Sequence, residues 1–313
     1  MKTQINSILI PTDFSAVAEG ALKVGLAIAK RQHAEITLLH VIDRFSYLQP
    51  AEVFLPEFQI IPDIKLSMEA TLSKLAGKIQ KESGIVVTST VMDGIPSDCI
   101  CSLAYNENFS LIVMGTHGTS GIREFFIGSE AFRVVKNATC PVLSIPGNWV
   151  KTDFEKVIFP IRITEGTLDK YAYARPIIEK NNSVLILLGL AEMKKPGEIP
   201  EISLLMDKIK LQLHNDNVDF RSVLSPCKNF PAKVIKMAKE SGADLIVLTA
   251  NFDSDFKAYF VGPFAQQVVN HSRLPVLSIK PSYTKSETTS SEELAQNWGT
   301  SVSVSDDGTP SNQ

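Results

Sequence analysis

The densest chemical signal in the chain is a glycine-rich segment in its first half. It begins Gly115-Thr-His-Gly118, continues for nine residues and ends in Gly128-Ser129. Gly115 directly follows an apolar run that predicts a strand, and Ser129 opens a predicted helix. Glycines let main-chain N–H groups converge on an anion, and the start of a helix adds unpaired donors and a favourable dipole. Ser129 can cap that helix and also donate its hydroxyl to an oxyanion, so the segment predicts a phosphate site.

The elements around this segment occur twice. Residues 111–146 align without a gap over residues 245–280 at an offset of 134, and both stretches contain Pro-Val-Leu-Ser-Ile near their ends. The beginnings of the two copies also match, 7–15 over 156–164, at an offset of 149. The sequence therefore predicts two homologous domains, and we place them at 1–147 and 153–281.

The two offsets differ by 15 residues, which indicates an insertion in the first copy between Val41 and Asp98. Residues 44–64 hold three prolines and four aromatic residues, too apolar a composition for a simple loop. We expect them to form a lid over a ligand site or a contact surface for a second subunit, the alternative being a loop packed on its own domain. Residues 282–313 are rich in Ser, Thr and acidic residues and carry a net charge of −4, which predicts a disordered tail.

Each copy alternates strand and helix patterns. In the first copy, residues 7–11 predict a buried strand closed by a proline, and the apolar spacing from Val17 to Ile28 predicts a helix that Ser15 can cap. A second helix is predicted at 67–82. Strands rich in Val, Ile and Leu that alternate with helices are typical of an α/β domain with a doubly wound, five-stranded parallel sheet. In such sheets ligands bind at the carboxyl ends of the strands, where the strand order reverses.

Composition excludes several classes of protein. Thirty-one Lys and Arg against 34 Asp and Glu give a net charge of −3 over 313 residues, which argues against a dedicated binder of nucleic acid or of an acidic membrane. The longest apolar stretch, 184–191, is far shorter than the ~20 residues that span a bilayer, and the N-terminus lacks a signal-peptide pattern. The four cysteines fit a reducing compartment, so we expect a cytoplasmic protein.

The pattern Gly-x2-Gly-x9-Gly-Ser, lying between a strand and the last helix of the copy, resembles the universal stress protein family. The opening Ile-Pro-Thr-Asp-Phe-Ser and the strand Leu-Leu-His-Val strengthen the resemblance, which extends over both copies, about 280 residues, as in tandem members of the family. It implies an adenine nucleotide α-hydrolase-like fold with strand order 3-2-1-4-5, whose fifth strands pair so that one chain imitates a dimer. It also implies binding of ATP or a related adenine nucleotide, with a regulatory role in the stress response.

The resemblance assigns residues to parts of the nucleotide by position. Asp13 would meet the ribose and the adenine end, the Val41 main chain would hydrogen-bond the base, and Met114 would pack beside the base. The phosphates would be held by Gly115, Gly118, Gly128 and Ser129.

Asp13 has a second interpretation. It follows the first predicted strand, where a carboxylate is a useful acceptor for ribose hydroxyls. It could instead begin an Asx-turn or cap the first helix together with Ser15. The glycine-rich segment favours the ribose interpretation, and Thr12 flanks the same site without a definite role.

Charged residues close to the predicted phosphates have alternatives as well. Glu130 adds a negative charge beside a triphosphate unless it faces solvent, the interpretation we favour, or shares a Mg²⁺ ion. His117 and Arg123 could contact phosphate, and an exposed loop histidine and a solvated helix-face arginine are the alternatives.

The second copy lacks most of the glycine-rich segment. Asp13, Gly115, Gly118 and Ser129 align with Arg162, Thr249, Phe252 and Pro263. Gly262 is retained, and Phe252 is expected to fill space that a phosphate site must leave open. We therefore predict that the second crevice is filled, that the second domain does not bind ATP in the family manner, and that it serves as a structural partner. Arg162 could bind some other anion, although a surface or paired arginine is favoured.

Other chemistry finds little support. Cys99 and Cys101 lie two apart on a predicted helix and face different sides, and the sequence contains no nucleophile elbow, P-loop or zinc-binding histidine pair. Two alternatives to a nucleotide-binding regulator remain. One is a weak ATPase or autophosphorylating enzyme, with Ser129 or a nearby threonine as the acceptor; the other is an interaction scaffold that needs no nucleotide. A homodimer through 44–64 and an unidentified protein partner are further expectations.

Overall fold

The computed structural model of the chain describes residues 4–43, 57–116, 127–250 and 263–280. The expected lid or contact surface at 44–64 lies mostly outside these residues, and the expected disordered tail at 282–313 lies wholly outside them. Both expectations therefore stay predictions.

The two halves of the described chain repeat one order of elements. The first half consists of β1 (Ser7–Pro11), α1 (Ala16–Gln32), β2 (Glu35–Ile42), α2 (Glu57–Ser83), β3 (Val87–Asp93), α3 (Pro96–Asn106), β4 (Leu111–Gly115), α4 (Ser129–Asn137) and β5 (Val142–Ile145). The second half consists of β6 (Lys156–Ile161), α5 (Lys170–Lys180), β7 (Val184–Glu192), α6 (Glu198–Asn215), β8 (Phe220–Cys227), α7 (Phe230–Ser241), β9 (Leu245–Thr249), α8 (Pro263–His271) and β10 (Val276–Ile279).

All ten strands form a single sheet in the order β3-β2-β1-β4-β5-β10-β9-β6-β7-β8. Within each half the strands are parallel and follow the expected order 3-2-1-4-5. The halves join where β5 runs antiparallel to β10, with Leu143 opposite Leu277. The doubly wound fold and the pairing of the fifth strands are thereby confirmed, whereas the domain limits 1–147 and 153–281 stay a prediction. Because β5 and β10 are antiparallel, the carboxyl ends of the two halves lie at opposite edges of the sheet.

The strands next to the predicted sites are buried on both faces, because helices cover the sheet from either side. Residues 111–114 of β4 are buried, and α1 packs Ala21, Val24 and Ile28 into the core. The predicted cap of α1 is confirmed, since the Ser15 hydroxyl oxygen accepts the Ala18 N–H at 3.2 Å. The start of α1 is thus fixed directly after β1, at the carboxyl edge of the sheet.

Helix α2 begins ten residues earlier than the prediction of 67–82. Its apolar stripe continues upstream through Met68 and Ile64, which pack against the core beside buried Leu72, Ala76 and Ile79. Residues three or four apart share one helix face, so this stripe extends the helix into the inserted segment. The last eight residues of 44–64 therefore belong to a helix.

Candidate functional site

A cavity of about 220 Å³ lies at the carboxyl ends of β1 and β4. These strands are neighbours in the sheet, and the strand order reverses at this point. Eight of the nine residues that the sequence assigns to a site line this one cavity: Thr12, Asp13, Val41, Met114, Gly115, Gly128, Ser129 and Glu130. The ninth, Gly118, lies outside the described residues, as do His117 and Arg123. We call this cavity the N-terminal crevice.

The turn between β1 and α1 forms one wall of the crevice. Asp13 Oδ1 accepts the Ser15 N–H at 3.0 Å, and Thr12 Oγ1 accepts the Phe14 N–H at 3.1 Å. Phe14 adopts a left-handed conformation with φ of 61°, which the two side-chain bonds support. The Asx-turn that was the alternative interpretation of Asp13 is thus present. It holds the carboxylate at the strand end, so the turn and a role in ligand binding are compatible.

A buried histidine, which the sequence analysis did not assign to the site, contacts this turn from the neighbouring strand β2. His40 on β2 is 6% exposed, and its Nδ1–H donates to the Thr12 carbonyl oxygen at 2.8 Å. Its ring centroid lies 4.9 Å from that of Phe14, and within the described residues its buried Nε2 has no hydrogen-bond partner. The sequence did contain a signal for His40, because it is a polar residue inside an otherwise apolar strand, and a buried polar residue normally has a hydrogen-bond partner.

Gly115 lies where the first turn of α1 approaches the end of β4 too closely for a side chain. A Cβ atom at this position would lie 2.7 Å from Val17 Cγ1, in the first turn of α1. Gly115 does not have a positive φ. The ability of glycine to adopt a left-handed backbone, to which the sequence analysis appealed, therefore does not explain why glycine occupies this position. The absence of a side chain lets α1 pack directly over the end of β4.

The start of α4 supplies main-chain donors to the crevice. Gly128 is the N-cap residue and Ser129 the first helical residue, so the expectation that Ser129 caps the helix is wrong. The Gly128 N–H donates to the Thr116 carbonyl oxygen at 2.7 Å. It is therefore committed to the protein, while the N–H groups of 129–131 belong to the first turn and lack intrahelical acceptors. Donors for an anion come from α4 itself, with no side-chain cap in competition.

Glu130 does not face solvent freely, contrary to the favoured interpretation. Its Oε2 accepts the Ser97 N–H at 2.9 Å, and its Oε1 accepts an N–H of Arg133 at 3.0 Å. Ile95, the N-cap residue of α3, makes no side-chain cap bond of its own. Glu130 therefore caps α3 from a neighbouring helix, and Arg133 compensates its charge.

The remaining wall of the crevice is apolar. Val41 lies near the end of β2, beside Leu39, and Met114 lies near the end of β4. Ile100 on α3 completes this wall, and Leu39, Ile100 and Met114 are buried. A flat apolar group can pack here without leaving a polar group unpaired.

The expectation that the second crevice is filled stays a prediction, although a cavity lies next to the strand ends of the second half. A cavity of about 580 Å³ is lined by Arg162 after β6, by Cys227 at the end of β8 and by the starts of α7 and α8. Phe252 and Gly262, on which that expectation rested, lie outside the described residues. We call this cavity the C-terminal crevice.

Some kinds of site are absent from the part of the chain that the structure describes. There, no three or more His, Cys, Asp or Glu side chains come together as a metal site, and no helix has the length and apolar character to cross a bilayer. The four cysteines Cys99, Cys101, Cys140 and Cys227 are free thiols.

Comparisons with known proteins agree with the fold. The model of the universal stress protein family matches residues 4–146 and 228–280. One universal stress protein of Methanocaldococcus jannaschii is 34% identical over 139 residues, 44% of this chain and 80% of that protein. A second from the same organism is 30% identical over 159 residues, 46% of this chain and 97% of that protein.

Solved structures extend the likeness to both halves. The crystal structure of a universal stress protein from Archaeoglobus fulgidus covers 89% of this chain and 99% of that one, with a TM-score of 0.71 at 20% identity, and shows the same fold. A universal stress protein in complex with cAMP covers 46% of this chain at 18% identity and a TM-score of 0.34. From the two matched segments, the chain belongs to the universal stress protein family, in its tandem form.

Proposed function

We propose that the N-terminal crevice binds an adenine nucleotide, with ATP as the ligand, and that the protein acts as a regulatory module in a stress response. One observation carries the proposal: eight residues assigned from the sequence meet in a single cavity at the reversal point of the sheet. Together these residues offer suitable contacts to the base, the ribose and the phosphates of a nucleotide.

The crevice offers a separate surface to each part of the ligand. The apolar wall of Val41, Met114 and Ile100 suits a base, and the Asp13 carboxylate at the end of β1 suits ribose hydroxyls. The first turn of α4 offers main-chain N–H donors and the positive end of the helix dipole to the phosphates.

Mg²⁺, when it accompanies the nucleotide, would be held mainly by the phosphates. Mg²⁺ sites of this kind typically combine one or two carboxylates with phosphate oxygens and water. The Glu130 carboxylate already accepts hydrogen bonds from Ser97 and Arg133, so it is a poor candidate for the ion. Asp13 is the better-placed carboxylate, although one of its oxygens serves the turn.

Binding without turnover is the form of activity that this arrangement favours. A general base must present an oxygen or nitrogen to the attacking nucleophile. Of the candidate bases, Glu130 is engaged with Ser97 and Arg133, Asp13 holds the turn through one of its two oxygens, and His117 lies outside the described residues. Nucleotide occupancy would therefore act by changing the crevice or its binding of a partner. The cytoplasm is the compartment we propose, because all four cysteines are thiols.

The proposal is tested by calorimetry of ATP binding to the full chain. Wild type should bind one ATP. Ser129→Pro introduces the residue of the second copy, removing an N–H donor and the hydroxyl at a helix position that tolerates proline, so the fold should persist. We expect at least about tenfold weaker binding, as for a lost hydrogen bond to a charged group. Gly118→Phe should also abolish or strongly weaken binding.

Two controls sharpen the result. Ser129→Ala retains the N–H and should bind more tightly than Ser129→Pro, while Lys228→Gln in the C-terminal crevice should leave ATP binding unchanged. Absence of heat with wild type would contradict the proposal and support a scaffold. Phosphate release above background in the same samples, lost in Asp13→Ala, would establish the enzyme alternative.

Self-association through the segment 44–64 stays part of the proposal. Leu66, just after this segment on α2, exposes 68% of its surface, which is consistent with a contact to another subunit.

A further inference from the structure

His40 is a polar side chain on an apolar face of the sheet. Along β2 the side chains of Leu38, His40 and Ile42 share one face, because successive residues of a strand point to opposite sides. Leu38 and Ile42 belong to the apolar core, and His40 itself is buried. An imidazole in such surroundings costs free energy unless hydrogen bonds compensate its loss of water. The contacts that His40 makes therefore indicate what this residue does.

The hydrogen bond of His40 goes to the turn that carries Asp13. Its Nδ1 lies 2.8 Å from the Thr12 carbonyl oxygen, which can only accept, so Nδ1 must carry the hydrogen. The Thr12 N–H donates to the Leu39 carbonyl oxygen, also at 2.8 Å. Both main-chain polar groups of Thr12 are thus bonded to β2, and Asp13 is the next residue of the chain.

The turn needs this support because its backbone is strained. Phe14 has a φ of 61°, in the left-handed region that bulky side chains disfavour. Such a conformation persists only where the surrounding contacts determine it. Thr12 and Asp13 each accept one main-chain N–H within the turn. His40 contributes from outside the turn, with its bond to the Thr12 carbonyl and with its ring against that of Phe14.

The second half lacks the carboxylate, the strained residue and the histidine together. The positions of Asp13, Phe14 and His40 are occupied there by Arg162, Ile163 and Gly189. Ile163 does not have a positive φ. A Cβ atom at Gly189 would lie 2.5 Å from Met206 Sδ, so α6 fills the space that a side chain would need. Within this chain the histidine therefore accompanies the carboxylate of the proposed nucleotide site.

We propose that His40 is a positioning residue of the nucleotide site. Its Nδ1–H fixes the Thr12 carbonyl and thereby holds the Asp13 carboxylate where ribose hydroxyls can bind to it. The inference rests on the proposed function, because it assumes that Asp13 accepts hydroxyls of the ribose. Asp13 Oδ1 also accepts the Ser15 N–H, so the turn sets the orientation of the carboxylate. His40 does not line the N-terminal crevice and faces the opposite side of β2 from Val41, so it acts through the turn.

The test is calorimetric titration of the full chain with ATP and, separately, with 2′,3′-dideoxy-ATP, which lacks both ribose hydroxyls. His40→Leu removes the donor and keeps a side chain suited to the apolar surroundings. It should bind ATP about tenfold more weakly than wild type, as for a lost hydrogen bond to a charged group, and should bind the dideoxy nucleotide as wild type does. Asp13→Ala should give the same pattern, and adding His40→Leu to it should weaken ATP binding no further.

Two polar variants separate the position of the donor from the packing of the ring. His40→Asn keeps an N–H on Cγ, the atom to which Nδ1 is attached, and should bind ATP nearly as wild type does. His40→Gln moves the N–H one bond further out, and should lose ATP affinity as His40→Leu does. Binding of the dideoxy nucleotide shows that each variant is folded.

Three results would decide against the positioning role. The inference is overturned if His40→Leu and His40→Gln bind ATP as wild type does, or if they lose affinity equally for both nucleotides, as a purely structural residue would. It is also overturned if His40→Asn binds ATP no better than His40→Gln, a comparison that does not need His40→Leu to fold. Absence of ATP binding by wild type contradicts the proposed function itself, so the two failures are distinguishable.

Discussion

The two crevices lie at the carboxyl ends of strands in two copies of one fold, and the positions that line both carry different side chains. Asp13 and Glu130 line the first, and the aligned residues of the second are Arg162 and Phe264. In the first, each carboxylate accepts N–H groups of the protein; in the second, the guanidinium packs on the aromatic ring that replaces a carboxylate. The fold places both crevices at strand ends, and these exchanges change the charged side chains that line them.

Helix capping explains why the residues at two positions differ together between the halves. Ile95 cannot cap α3, so Glu130 does so from α4. The residue aligned with Ile95 is Asn229, which caps α7 with its own side chain. Phe264, aligned with Glu130, is therefore not needed as a cap and contacts Arg162 instead.

Of the positions that differ between the two halves, Lys170 is expected to have the largest effect on the stability of the chain. It aligns with Ala21 in the first half. Its ammonium group is buried, donates to the Pro160 carbonyl oxygen and lies 4.4 Å from the Phe159 ring centroid. Burial, and secondly the charge of Arg162, lower the pKa of Lys170 from 10.5 to about 7. The folded chain then releases this proton more readily than the unfolded chain, so stability rises with pH between those two values.

Lys170→Met removes this dependence. The free energy of unfolding of wild type, relative to the variant, should rise by up to about 1.4 kcal/mol per pH unit above pH 7. Urea unfolding of both chains between pH 6 and pH 10 measures the difference, in which other titrating groups cancel. Lys180→Met, at the exposed end of the same helix, should follow wild type. A difference that stays constant with pH would show that Lys170 is not a buried titrating amine.

A smaller effect is expected at Gly115, which aligns with Thr249. A Cβ at Gly115 would lie 2.7 Å from Val17 Cγ1, and the residue aligned with Val17 is Gly166. Gly115→Thr should therefore cost about 1–3 kcal/mol of unfolding free energy, as overpacking does. Val17→Ala in the same chain should restore part of it, since the clash is with a side chain. Thermal and urea unfolding of the two single variants and the double variant give the coupling energy, and strict additivity would contradict the contact.

The sequence predicted the fold because its signals are local and repeated. Apolar runs that recur at constant offsets predicted the strands, the helices and the repeat. The strand order and the pairing of β5 with β10 were implied by the family resemblance. The composition of the N-terminal crevice could be predicted for a related reason. Thr12, Met114 and Ser129 each lie at the end of a strand or the start of a helix, and the topology brings those ends together.

What could not be predicted depends on contacts between distant residues. The hydrogen bond from the Ser97 N–H to Glu130 joins residues 33 apart on different helices, and no local pattern distinguishes such a glutamate from one in solvent. The packing of Arg162 against rings from two other elements is likewise a contact between residues far apart in the chain. Asp13 is intermediate, because its Asx-turn is local and was a recognisable alternative.

The smallest effect is expected from substitutions that exchange the cap of α3 for the kind of cap found at α7. Glu130→Gln removes the charge of the acceptor at the start of α3 and should cost about 1 kcal/mol of unfolding free energy, as a weakened cap does. Ile95→Asn introduces the cap residue of the second half and should reduce that cost, because α3 would then carry its own cap, as α7 does. Ile95→Ala, which adds no acceptor, is the control. Urea unfolding of the double variants decides the matter: equal costs of Glu130→Gln in the Ile95→Asn and Ile95→Ala backgrounds would mean that the caps of the two halves are not interchangeable.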